Sequence, residues 1–110
     1  MDKYKHSVAG GNLKSARIAL QILEILVDNG VEGMSLNRLS ELMATPRTSL
    51  HRYLQMLVES GWVETVGEKS SMLWKPSNHF IKLAFNYRDA VRAQVQAIES
   101  EFKDLTGEEL

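Results

Sequence analysis

Cysteine is absent from the 110-residue sequence, which excludes a disulfide framework and a thiolate metal site and fits a reducing compartment. A long apolar run is absent too. The richest stretch, Ile18 to Val27, is interrupted by Gln21 and Glu24 and falls short of the roughly 20 residues that a membrane-spanning helix needs. The N-terminus has no signal-peptide core, so the expected location is cytoplasmic, with no membrane partner. His6, His51 and His79 lie far apart, and no pair has the i, i+4 spacing of a helical zinc site. There is no glycine loop of the phosphate-cradling kind, and scattered serine, histidine and aspartate make no nucleophilic constellation without a cleft to gather them. No metal, cofactor or catalytic activity is expected. A strong net charge is missing as well, the formal value being -1, where a nucleic-acid binder is simply expected to be basic. The charge is uneven, however. Residues 1–88 hold eleven Lys/Arg against eight Asp/Glu, whereas residues 89–110 hold two against six. The C-terminal end is therefore not the part that faces a polyanion.

What is present suits one compact domain with extensions: 44% hydrophobic residues are enough for a core, and 25% charged residues argue against disorder. The chain is organised around Thr45 to Val58. Thr45 suits an N-cap and Pro46 the first helical position, where the missing N–H has no intrahelical partner to lose. Leu50, Leu54 and Leu57 recur at helical spacing and form an inward stripe, leaving Arg47, Thr48, His51, Arg52 and Gln55 outside it. No acid occurs before Glu59, and Gly61 ends the helix. Two guanidiniums, hydroxyls, an imidazole and an amide on one face are the groups that bond phosphate oxygens and base edges in a major groove.

Met1 to Lys14, with Gly10-Gly11-Asn12 and little periodicity, reads as a flexible basic arm. Ser15 is placed to cap a helix from Ala16 to about Asp28, whose wide apolar face implies burial from two sides. Asn29-Gly30 closes it, and Val31 to Met34 is a short connection. Ser35 caps a second helix with Leu36, Leu39, Leu42 and Met43 inward and Arg38 and Glu41 outward. The two or three residues before the next helix force a steep crossing in the helix-turn-helix manner, although the usual turn glycine is missing. After Gly61, Trp62 to Val66 and Met72 to Lys75 favour strands around a turn at Gly67 to Ser71, with Pro76 as a stop. A hairpin after such a helix is the wing of a winged helix, and Lys69 near its tip is placed to meet phosphate. Trp62 and Trp74 are read as packing residues before base-stacking ones.

From about Asn78 a long helix is expected, with apolar residues at Phe80, Ala84, Tyr87, Val91, Val95, Ile98, Phe102 and Leu105. Their mean spacing of about 3.6 is a continuous helical stripe. At 1.5 Å per residue it extends roughly 40 Å, more than a small winged domain covers with its own body. Its second half needs another surface. The simplest supplier is the same helix of a second chain in a two-fold dimer, with the first helix as an additional contact. The fold class is therefore mainly α: a winged helix-turn-helix over residues 15–77, a basic arm before it and a dimerisation helix over 78–110.

These residues resemble the N-terminal winged helix-turn-helix domain of the IclR-type bacterial transcriptional regulators, from Ser15 to about Leu83. Ala16 to Glu24 looks like the opening helix of that family, and Ser35-Leu36 with Leu39-Ser40-Glu41 looks like its second. Thr45-Pro46-Arg47-Thr48-Ser49-Leu50-His51-Arg52-Tyr53-Leu54, then Leu57 to Glu64, looks like its recognition helix running into the wing. That order of proline, base, two hydroxyls, apolar residue, histidine and arginine is the specific part. The resemblance implies sequence-specific double-stranded DNA binding as a dimer, normally in transcription regulation, and no enzyme. Family members continue into a larger small-molecule-binding domain. Here Leu105 to Leu110 resembles only its threshold, so the chain is read either as a DNA-binding unit dimerised by its last helix or as a fragment, and no small-molecule effector is carried over.

Residue by residue, Arg47 and Arg52 are weighed against a solvated helix face with weak ion pairs, and DNA contact is preferred because helix, turn and wing agree. Thr48, ahead of Ser49, sits in the turns where helix-turn-helix proteins touch bases. His51 is left open between a phosphate contact, a water-mediated base contact and a histidine packed at the domain edge. Gln55 and Tyr53 are weaker candidates, and Ser35, Arg38 and Ser40 are placed to hold the backbone beside the groove. A rival reading from another class is a winged helix that binds protein through its long acidic helix without DNA affinity, which the near-neutral charge favours.

Overall fold

The structure, a computed structural model, describes residues 11–29 and 31–109, with side chains from residue 13. Its order is α1 (Gly11–Asn29), α2 (Leu36–Met43), α3 (Arg47–Glu59), β1 (Val63–Val66), β2 (Leu73–Pro76) and α4 (Asn78–Thr106), with a 3-10 turn at Lys69–Ser71 between the strands. The strands pair antiparallel, Val63 opposite Pro76 and Val66 opposite Leu73. This is the winged helix-turn-helix expected from the sequence, followed by a long helix. The chain divides into two compact units, one ending at Phe80 and the other Ile81–Leu110.

In the first unit the core is one cluster. Ile22 and Leu26 from α1, Leu39 from α2, and Leu50 and Leu54 from α3 are fully enclosed, and Val63 and Trp74 from the hairpin close over them. Full burial of a leucine or isoleucine stabilises by about 1.5–3 kcal/mol relative to exposure, so these few residues fix how the three helices cross. Leu42 departs from expectation and is exposed. The inward stripe of this eight-residue helix runs through Leu36, Leu39 and Met43, and Leu42 stands about 100° away from Met43 around the axis.

Two helices start elsewhere than their cap signals suggest. Ser15 does not cap α1, because residues 11–14 are already helical. The part of the expected arm before residue 11 lies outside the described residues. Thr45 does not cap α3 either. Pro46 takes the cap position with extended backbone, and the Thr45 hydroxyl instead donates to the Met43 carbonyl at 3.0 Å. Ser35 does cap α2, its Oγ accepting from Arg38 N at 3.1 Å. At the end of α3, Gly61 sits at φ +85, while Gly61 N donates to Val58 O and Trp62 N to Leu57 O at 3.0 and 2.9 Å. This double bond pattern satisfies carbonyls the helix leaves open, and the left-handed residue it requires is usually glycine.

The helix-turn-helix corner uses the same device without glycine. Ala44 adopts φ 50 and ψ 42, and Thr45 N reaches back to Ser40 O. The Ser40 hydroxyl donates to Thr45 O at 2.7 Å and ties the corner from the side. In the wing, β1 starts at Val63 rather than Trp62, and Pro76 is the last residue of β2 rather than a stop before it. A proline is tolerated there because a strand end can spare its ladder N–H. Met34, expected in a plain connection, forms a two-way bridge with Trp74, N to O at 2.8 Å in each direction. Gly33, at φ +102, makes that approach possible, since a Cβ there would stand 2.8 Å from Leu73 Cβ.

In the second unit, α4 runs on with its side chains in solvent, and Phe102 is partly buried. Tyr87, Val91, Val95, Ile98 and Leu105 are all exposed. Gly107, at φ +75, ends the helix with its N–H on Lys103 O at 2.7 Å.

Candidate nucleic-acid interface

The interface is built on α3. Because Leu50, Leu54 and Leu57 are held in the core, the rotation of the helix is fixed and its opposite face must point outward. Arg47, Thr48, His51, Arg52 and Gln55 are exposed on that face, while Ser49 is half-buried beside it. Arg47, Thr48, His51 and Arg52 come together with Leu36 of α2 around an open depression of about 500 Å³. Neither Arg47 nor Arg52 has an ion-pair partner among the described residues. The Arg52 guanidinium lies 6.0 Å from the Tyr53 ring centroid, at the outer limit of a cation–π contact.

His51 packs edge-on against Trp74, with ring centroids 5.8 Å apart and planes at 88°. It is thus a domain-edge packing residue that also remains exposed on the outer face. The contact steadies the middle of α3 against β2. Leu36 was not foreseen here. Its apolar spacing marked it as core, and nothing in the sequence distinguishes a core leucine from one on the rim of a depression.

The flanking candidates are more engaged. Ser35 Oγ is occupied as the α2 cap, and Ser40 Oγ by the corner. Arg38 is paired with Glu41 at 3.4 Å, an exposed i, i+3 contact of a kind that contributes little in water and that a phosphate can displace. In the wing, Lys75 pairs with Glu64 at 3.7 Å, whereas Lys69 is exposed at the tip with no ion partner among the described residues. Lys69 itself has φ +34, and Gly67 at φ +88 lets Ser71 fold close, so the tip is a tight turn rather than a loose loop. The structure does not bring Lys69 into the α3 depression. Gln55 lies one turn beyond it on the same helix.

No group of three or more His, Asp or Glu side chains able to hold a metal ion occurs among the described residues. No helix among them is long and apolar enough to cross a membrane.

A three-helix corner, a hairpin wing and an acid-free helix face together define a winged helix-turn-helix domain. Residues 15–67 match the family described as IclR helix-turn-helix domain, and this part of the chain is an IclR-type helix-turn-helix domain. Among solved structures the chain is similar to Pseudomonas aeruginosa HmgR, at 28% identity and a TM-score of 0.58. That likeness covers 84% of this chain and 37% of the other, so the present sequence spans well under half of that protein's length. No curated protein matches the sequence.

Proposed function

We propose that the chain is a sequence-specific, double-stranded DNA-binding transcription regulator that works as a cytoplasmic homodimer, with α3 in the major groove. The observation that carries this reading is the outer face of α3, where Arg47, Thr48, His51 and Arg52 converge around one depression and neither arginine has an ion partner among the described residues. Arg47 and Thr48 occupy the first turn, the part of a recognition helix that meets base edges. Arg52, Gln55 and the half-buried Ser49 supply further base or phosphate contacts. Ser35, Arg38 and Lys69 flank the helix and position the backbone. Dimerisation is assigned to α4 from Phe80 to Leu105. Phe80 already meets Trp62 edge-on at 5.6 Å, which leaves Tyr87, Val91, Val95, Ile98, Phe102 and Leu105 as the free stripe. Half-sites about 34 Å apart, or a multiple, in a near-palindromic sequence follow from that symmetry. Binding at such a site regulates transcription by blocking or recruiting polymerase. A small-molecule effector and an enzymatic step form no part of the proposal.

The exposed apolar stripe of α4 also supports a second reading, a protein-binding module without DNA affinity. Equilibrium titration of a mixed duplex pool at two salt concentrations separates the two. Phosphate contacts release counterions, so a DNA binder loses affinity with salt at about 0.9 log units per contact per log unit of salt. A folded protein that retains no duplex at either salt overturns the DNA-binding reading.

A further inference from the structure

The depression on the outer face of α3 is not walled by α3 alone. Arg47, Thr48, His51 and Arg52 come from its first two turns, and the remaining wall is Leu36 of α2. Leu36 is the first helical residue after the Ser35 cap, and its half-buried side chain packs on the core with one part and faces the depression with the other. Its position is fixed from two sides. Ser35 Oγ accepts from Arg38 N at 3.1 Å and sets the start of α2, while Leu39, fully enclosed in the core, sets the rotation of that helix. Leu42 of the same helix is exposed too but takes no part in the depression, so exposure alone does not put a leucine there.

The polar groups around Leu36 are chiefly donors. Arg47 and Arg52 can only donate, the Thr48 hydroxyl can donate as well, and neither arginine has an ion partner among the described residues. A base edge that enters the depression therefore meets hydrogen-bond donors beside one branched alkyl group. In a major groove, thymine alone offers an acceptor, O4, together with an alkyl group, the C5-methyl. Cytosine adds a further donor at N4. Guanine has two acceptors that suit an arginine but no methyl for the leucine, and adenine has no methyl either.

We propose that Leu36 is a specificity-determining residue that receives the C5-methyl of one thymine in each half-site. This deepens the DNA-binding reading above and rests on it. Arg47 and Arg52 supply affinity and register, and Leu36 separates thymine from cytosine without carrying a charge. Burial of one methyl group changes binding about fourfold, so the two half-sites together change it about fifteenfold.

The test is a scan of the selected duplex in which each thymine is replaced in turn by deoxyuridine in both half-sites, a change that keeps O4 and removes only the methyl. For the parent chain one position per half-site should weaken binding by about that fifteenfold factor. Leu36→Ala should bind the thymine and uridine duplexes alike, and Leu36→Gln, a second variant in case the first does not fold, should do the same. Thr48→Ser removes the other methyl group that lines the depression and should keep the full uridine effect. A selected site without thymine, a scan with no sensitive position, a sensitivity that survives in the Leu36 variants, or one abolished by Thr48→Ser overturns the assignment and leaves the DNA-binding reading standing. A folded chain that selects no duplex overturns both.

Discussion

Ala44→Gly should stabilise the first unit. Ala44 holds φ 50 and ψ 42 at the corner between α2 and α3, the position that the left-handed end of a helix normally gives to glycine. An L-residue with a Cβ pays about 1–2 kcal/mol for that backbone conformation. Glycine removes this strain but loses more freedom on folding, at a cost of about 0.4–1 kcal/mol. The alanine side chain is exposed, so no buried contact is lost with it. The balance is a gain of about 0.5–1 kcal/mol, a rise in Tm of about 2–8 °C for a domain of this size. Urea and thermal unfolding of parent and variant at one fixed protein concentration, which keeps any dimer contribution common to both, would read it. A variant less stable than the parent would refute the reasoning, because it would mean that the corner does not hold Ala44 in the left-handed region or that its methyl group contributes packing.

Ser77→Ala should destabilise by about 1–2 kcal/mol in the same assay. The buried Ser77 hydroxyl donates to Gly61 O at 2.6 Å and accepts from Phe80 N at 3.0 Å, so it joins the end of α3 to the start of α4. Gly33→Ala should cost more than about 1 kcal/mol, since φ +102 and a Cβ only 2.8 Å from Leu73 Cβ leave no room beside the Met34–Trp74 bridge. Loss of protection of the Met34 and Trp74 amides in hydrogen exchange would accompany it. Lys69→Ala should weaken binding to all duplexes alike and lower the salt slope by about one phosphate contact, as seen in titrations of specific and random DNA. A change confined to one sequence would assign Lys69 to base reading instead.

The helices, the wing and the face of α3 were legible because each rests on a periodic pattern. Leu50, Leu54 and Leu57 fix the rotation of α3 wherever the helix begins, so its outer residues follow even though Thr45 was mistaken for its cap. Gly61 was readable because a left-handed helix end prefers glycine strongly; Ala44, doing the same work one helix earlier, was hidden because alanine is also the best helix former. Pro46 fits either side of a helix start, and its extended backbone in the cap position is a choice made by the corner that Ser40 and Thr45 tie together. Ser15 failed as a cap for the opposite reason: neither Leu13 nor Lys14 just before it breaks a helix, and the local signal of one serine does not outweigh continuation. The Met34–Trp74 bridge and the place of Leu36 at the rim of the depression are tertiary facts. A single hydrophobic residue in a short connection does not say which strand it will meet. Helix spacing leaves His51 open between contact and packing, and the structure packs it edge-on against Trp74 while it stays exposed.

The central claim is that α3 reads DNA as part of a two-fold assembly. Its most direct test is selection of duplexes from a random pool by the purified chain at two salt concentrations, with Arg47→Ala/Arg52→Ala as the control. An enriched near-palindrome with half-sites about 34 Å apart or a multiple, lost in the double variant, is the expected result. For Arg47 alone, a bidentate base contact implies weakening by about 1–3 kcal/mol. A folded chain that enriches no sequence, or one whose selected site is bound equally well without Arg47 and Arg52, would contradict it.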